Sequence, residues 1–277
     1  VVSADLQRYP RSIAKTLGGD APPWWEPAQP AEALLREMDG AHVDHAVVLQ
    51  ALGPYGFDNR CAVDSAESAP ARLACVVAAD PASPGAAQEL ASLVSTRRAA
   101  GLRLLVRPDM EPAGGELVTC AAELGITVCL LVPAPDRLAP LTRLVNRFPG
   151  TAFVIEHLAA ATTTWGIPEQ SLTALAAFAA RPNVYLKVST VNLAPIAGAP
   201  DPIAGLARLR DMYGASRLMW GSNYPASEGF DLRAMVRLAL AAVGEWPRED
   251  QALFLAGTAG TLWPALAATL PRDAATS

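Results

Sequence analysis

The sequence is poor in the residues that most often mark chemistry. It holds three histidines and four cysteines in 277 residues. Cys61, Cys75, Cys120 and Cys129 form no Cys-x-x-Cys pair, and Cys75 and Cys129 fall inside apolar runs. They read as small core residues, as expected in a reducing cytoplasm. Charge is sparse at 18%, with 22 basic against 27 acidic side chains and a net charge of −5. No Lys/Arg cluster stands out, so nucleic acid is not an expected partner. No apolar stretch is long enough to cross a bilayer and no signal peptide is recognisable, so no membrane partner is expected either.

What is abundant is apolar: 51% of the residues are hydrophobic, enough to bury a large core. Short β-rich apolar runs at 43–49, 71–79, 101–106, 126–132, 152–158, 184–188 and 218–221 alternate with helical stretches at 31–38, 86–97, 115–124, 137–148, 170–180, 203–212 and 232–242. Asp39-Gly40, Pro149-Gly150 and Arg181-Pro182 supply helix stop signals. Buried strands alternating with helices predict an α/β fold, here a (β/α)8 TIM barrel formed by a single domain over residues 1–277. Seven strands are visible where a closed barrel has eight. The first is expected to be missing, or to survive as a stub in residues 1–5. Residues up to 30 then form a long first loop, and 250–270 form closing helices broken at Gly257 and Gly260.

In such a barrel, side chains at the C-terminal strand ends converge on one face. The run Leu218-Met219-Trp220-Gly221 ends in Ser222-Asn223-Tyr224-Pro225, which puts Asn223 at that face. Further segments carry a family pattern in order: Met38-Asp39-Gly40-Ala41-His42-Val43-Asp44, Gly101-Leu102-Arg103, Ile155-Glu156-His157-Leu158, Asn183-Val184-Tyr185-Leu186-Lys187-Val188-Ser189, and Gly257-Thr258-Ala259. With these segments the chain resembles the metal-dependent hydrolases of the amidohydrolase superfamily, in the amidohydrolase-2 branch that includes sugar lactonases and 2-pyrone-4,6-dicarboxylate lactonase. Three departures stand out. The family's opening His-x-His has no counterpart, its barrel-ending Asp is Asn223, and the acid before the strand histidine is Glu156.

The resemblance implies hydrolysis of a small carbonyl compound, with a lactone or a carboxylate-bearing ring as the leading substrate class. His157 and Asn223 are then the catalytic candidates. His157 polarises the carbonyl or helps deliver water, and Asn223 positions the water or the oxyanion in place of an acidic base. Arg103 and Lys187 are candidates to hold a substrate's negative charge, the plain alternative being an internal salt bridge. Gln50, Tyr55, Arg107, Ser189 and Trp25 are candidate substrate contacts, and Trp24 shares the choice between aromatic wall and loop pin. His42 and His45 fall on the N-terminal side of the barrel, where structural roles are expected.

A catalytic zinc site takes about three protein ligands. Alternation along the strand places Glu156 opposite His157, which leaves too few donors, so no tightly bound catalytic metal is expected. A His-x-His upstream of Val1 would reopen a zinc or manganese site. The expected partner is a small-molecule substrate, and homo-oligomerisation stays open. Two other readings remain: a divergent enzyme catalysing isomerisation, decarboxylation or cyclisation in secondary metabolism, or a ligand-binding barrel without catalysis.

Overall fold

The computed structural model describes residues 1–11, 25–107, 113–159, 166–194, 201–227 and 229–267. Seven strands form one sheet: β1 (Ala46–Leu49), β2 (Leu73–Ala78), β3 (Gly101–Leu105), β4 (Thr127–Leu131), β5 (Phe153–Glu156), β6 (Val184–Ser189) and β7 (Leu218–Gly221). Each pairs in parallel with its successor in sequence. Parallel neighbours need a crossover, and the helices that supply it bury the sheet's outer face. Sequential order combined with strand twist curls the sheet into a TIM-barrel wall. Among the described residues β1 and β7 are its two edges. Val2 makes an isolated antiparallel bridge to Gln29.

The register separates two faces. Leu102, Leu104, Val128, Leu130, Phe153, Ile155, Val184, Leu186 and Leu218 pack outward against the helices and are essentially inaccessible. Each such side chain contributes about 1.5–3 kcal/mol by leaving water. The inner face is built from Ala74, Val76, Cys129, Val154 and Met219, and Trp263 and Leu266 of the C-terminal segment close it. That plug lies at the N-terminal ends of the strands, where the hydroxyl of Thr127, the first residue of β4, donates to the Leu262 carbonyl. Burial pushes the Cys75 and Cys129 thiols up to about 12, in keeping with inert core residues. Toward the C-terminal ends the inner face turns polar, with Arg103, Glu156, Lys187 and Ser189.

Several boundaries differ from the sequence reading. β5 stops at Glu156, because His157, Leu158 and Ala159 all take positive φ. Between β1 and β2 the chain carries two helices, Leu52–Tyr55 and Arg60–Ser68. Pro54 sits in the first turn of the former, where a missing N–H costs nothing. The closing helices are not broken at Gly257 or Gly260. Helix Arg248–Ala252, a π turn at Leu253–Gly257 and helix Thr258–Leu262 run on, and Trp263 and Pro264 interrupt them instead.

Gly101 shows how crowded the inner face is. A Cβ there would sit 3.0 Å from the Thr127 carbonyl oxygen and 3.0 Å from Val76 Cγ2. Gly101→Val is therefore expected to destabilise the barrel by about 1–3 kcal/mol in denaturant unfolding. Gly150→Val, where a Cβ meets nothing within 4 Å, serves as the control with little change.

Candidate active site

A carboxylate buried in a barrel needs counter-charge, and Glu156 has two. Arg103 donates from Nε to Oε1 at 2.9 Å and from Nη2 to Oε2 at 2.8 Å, the two-pronged geometry of a strong pair. Lys187 Nζ donates to Oε2 at 2.8 Å from the neighbouring strand, where Glu156 and Lys187 are register partners. Gly221 makes room for this lysine, since a Cβ at 221 would lie 2.9 Å from Lys187 Cδ. Arg103 Nη1 also donates to the Gln50 carbonyl at 2.8 Å, which ties the end of β1 to the cluster. Burial would raise the Glu156 pKa, but Arg103 and then Lys187 outweigh it and hold the carboxylate well below its usual range. Two cations against one anion leave the cluster with a formal charge of +1. Among the described residues Arg103 commits three of its five N–H donors and Lys187 one of its three, so polar hydrogens remain for a further acceptor.

The same geometry corrects the face assigned to Glu156. It points inward, and His157 Nε2 lies 3.6 Å from its Oε2. Alternation fails because the strand has already ended: the left-handed turn at His157–Ala159 swings the imidazole toward the inner face as well. His157 Nδ1 is 2.8 Å from Ser189 Oγ. Burial, and then the charge of Lys187, hold the imidazole far below its ordinary pKa, so it is neutral near pH 7. Asn192 was not singled out in the sequence. Its Oδ1 accepts from Ser189 N and Oγ, both at 2.9 Å, and its Nδ2 donates to the carbonyls of His157 and Gly166. The signal was there as a Ser-x-x-Asn spacing, a capping box opening helix Thr190–Leu193.

Asn223 follows β7 with φ +60, a conformation asparagine tolerates better than most residues. Its Nδ2 donates to Ser227 Oγ at 3.1 Å. Thr190 Oγ1 donates to the Ser222 carbonyl, which joins this turn to the end of β6. Gln50 is buried, and its Nε2 donates to the Gly56 and Asp58 carbonyls. Tyr55 and Trp25 pack in an apolar group with Val2 and Cys61. The Tyr55 hydroxyl accepts from Ser3 N, so the two aromatics pin the N-terminal segment. Arg107 is partly exposed and faces Asp80 at 3.9 Å. Trp24 lies outside the described residues.

The described side chains offer few free donors to a dication. Both Glu156 oxygens are taken by cations, His157 offers one nitrogen, and Asn223 is an uncharged amide. Among the described residues no three His, Cys, Asp or Glu side chains gather as a metal-binding group. A metal ion placed beside Arg103 and Lys187 would also meet their repulsion.

Two tests follow. Glu156→Gln leaves two cations without their counterion and is expected to cost about 3–5 kcal/mol in denaturant unfolding. Acid stability tests the neutral imidazole. The folded-state pKa of His157 lies below its unfolded value of about 6.5, so the unfolded chain binds more protons and stability falls as pH drops below about 6.5. The Glu156 pKa is also lowered, so its contribution is full above its unfolded value of about 4.3 and is lost as pH falls from there toward the folded value, below the window in which His157 acts. Between pH 6.5 and 5, His157→Gln is expected to show a shallower loss of stability than the wild type.

The amidohydrolase family profile matches residues 26–265. An L-fucono-1,5-lactonase from Burkholderia ambifaria is 31% identical over 199 residues, 67% of this chain and 66% of that protein. The match thus spans just under two thirds of that lactonase's length. A 4-sulfomuconolactone hydrolase from Rhizobium radiobacter is 26% identical over 221 residues, 77% of this chain and 72% of its own. In three dimensions an amidohydrolase from Burkholderia multivorans, solved with zinc bound, superposes with a TM-score of 0.69 at 19% identity, covering 85% of this chain and 88% of its own. At that identity the likeness speaks for the fold. With the profile extending from the first helix to the closing helices, the chain belongs to the amidohydrolase family.

Proposed function

We propose that residues 1–277 form a single catalytic domain that hydrolyses a small lactone carrying a carboxylate, without a tightly bound metal. The observation that carries this reading is the inward-facing Arg103–Glu156–Lys187 cluster, one positive charge in excess, beside a neutral histidine. Lactone-cleaving relatives support the substrate class. The uncommitted donors of Arg103 and Lys187 take the substrate's carboxylate. His157 does not polarise the carbonyl but accepts a proton from water as the water oxygen bonds to the ester carbon. The ring C–O bond then breaks and the proton passes to the released alkoxide, giving a hydroxy acid. Because the imidazole is a weak base, it holds that proton only in transit. Asn223 orients the water or the oxyanion through its amide. The substrate is a small molecule, and buried free thiols suit a reducing cytoplasm. No described helix is long and apolar enough to cross a membrane.

Asn223 also favours a second reading. Without an acid there, a step that consumes no water, such as decarboxylation or isomerisation, needs no replacement for it. A panel of carboxylate-bearing lactones assayed in ¹⁸O-labelled water separates the two. Ring opening with label in the product is expected. His157→Gln should lower kcat by about 10²–10⁴-fold, and Arg103→Met should mainly raise KM. Turnover without label would select the non-hydrolytic reading, and binding without turnover a ligand-binding barrel. Unchanged kinetics in both variants would remove the assignment of these residues.

A further inference from the structure

We infer that Ser189 and Asn192 are positioning residues that hold His157 as a single neutral tautomer, protonated on Nδ1 with the Nε2 lone pair directed inward. The inference deepens the hydrolase reading above and rests on it for its kinetic consequence, but not for the tautomer itself.

Asn192 has its amide orientation fixed from several sides. Oδ1 lies 2.9 Å from Ser189 N–H, which must be met by an acceptor, while Nδ2 lies 3.2 Å from the His157 carbonyl and 3.4 Å from that of Gly166, which must be met by a donor. Flipping the amide would oppose donor to donor and acceptor to acceptor. With Oδ1 so placed, Ser189 Oγ has two short contacts, 2.9 Å to Asn192 Oδ1 and 2.8 Å to His157 Nδ1. The hydroxyl has one proton. If it went to the imidazole, two oxygens 2.9 Å apart would face each other with none between them. If it goes to Asn192, the remaining contact is filled by Nδ1–H donating to Oγ, and each short contact holds one proton. The three side chains are all within 1% of full burial, so water offers no alternative partner.

The opposite nitrogen agrees. Nε2 and Glu156 Oε2 are 3.6 Å apart, too far for a hydrogen bond. The groups that face the ring are therefore Glu156, whose oxygens are already held by Arg103 and Lys187, those two cations, and Ser189. The cations favour a lone pair over a proton at Nε2. Asn192 adds a second constraint. By bonding the His157 carbonyl it braces a turn of three consecutive non-glycine residues with positive φ, a conformation that costs free energy unless its surroundings impose it.

Nitrogen NMR of ¹⁵N-histidine-labelled full-length protein reads the tautomer directly, and with three histidines His157→Gln assigns the signal. The wild type is expected to show a protonated Nδ1 and an unprotonated Nε2 at pH 7. In Ser189→Ala the Nδ1 acceptor is gone, so the proton should move to Nε2, facing Glu156. In Asn192→Ala the serine proton should turn to Nδ1 and shift the tautomer in the same direction. In either variant that folds, as judged by thermal unfolding, kcat should fall by about 10-fold or more at unchanged KM, since Nε2 can no longer accept. A wild-type signal with Nε2 protonated, or an unchanged tautomer in both variants, would overturn the inference. A wild type with the expected tautomer but full activity in His157→Gln would instead overturn the hydrolase role of His157 and leave the tautomer standing.

Discussion

Glu156 is the constraint from which the site is built. A carboxylate with no exposed surface in a barrel lined by Ala, Val, Cys and Met would be neutral if left alone. Arg103 and Lys187 keep it ionised, and in doing so fix β3, β5 and β6 to one another above the apolar floor. Arg103 reaches across as well to the end of β1 through the Gln50 carbonyl. Removing the anion would leave two charges that the inner face cannot solvate. Such a cluster is weak support for stability as a whole, since an apolar set could fill the same volume at less cost. In the proposed function its value lies in placing excess positive charge at a defined point beside an uncharged imidazole.

The histidine is organised by different means. Its strand ends one residue before it, and a left-handed turn aims the ring where regular strand geometry would not. Ser189 and Asn192, on the next strand and the helix it opens, hold the ring and brace the turn. The two halves of the site therefore meet across β5 and β6, and β6 contributes to both: Lys187 to the charge cluster, Ser189 to the imidazole. They lie two residues apart on one face of the strand.

The barrel was legible because parallel strands are buried on both faces and read as continuous apolar runs. All seven appear within a few residues of where the sequence places them. Arg103, Lys187, His157 and Ser189 were visible as polar residues at strand ends. The face of Glu156 was not, because alternation assumes that a strand continues, and three non-glycine residues in left-handed conformation leave no compositional mark. Asn192 was overlooked although its Ser-x-x-Asn spacing is a known helix-start signal. Trp25 reads equally well as wall or as pin and Tyr55 as a substrate contact; the fold packs both with Val2 and Cys61, with Ser3 bonded to the tyrosine hydroxyl. Asn59 is buried and staples the end of β2 through both a donated and an accepted bond to Ala78.

In the proposed function, excess positive charge at Arg103 and Lys187 selects an anionic ring for hydrolysis. The most direct measurement is kcat/KM of the wild type for two lactones that differ only in a carboxylate replaced by its neutral amide. A charge-assisted hydrogen bond is worth about 1.5–3 kcal/mol, so the carboxylate should be preferred by about 10-fold to 100-fold. Equal kcat/KM for the pair, or preference for the amide, would contradict the account.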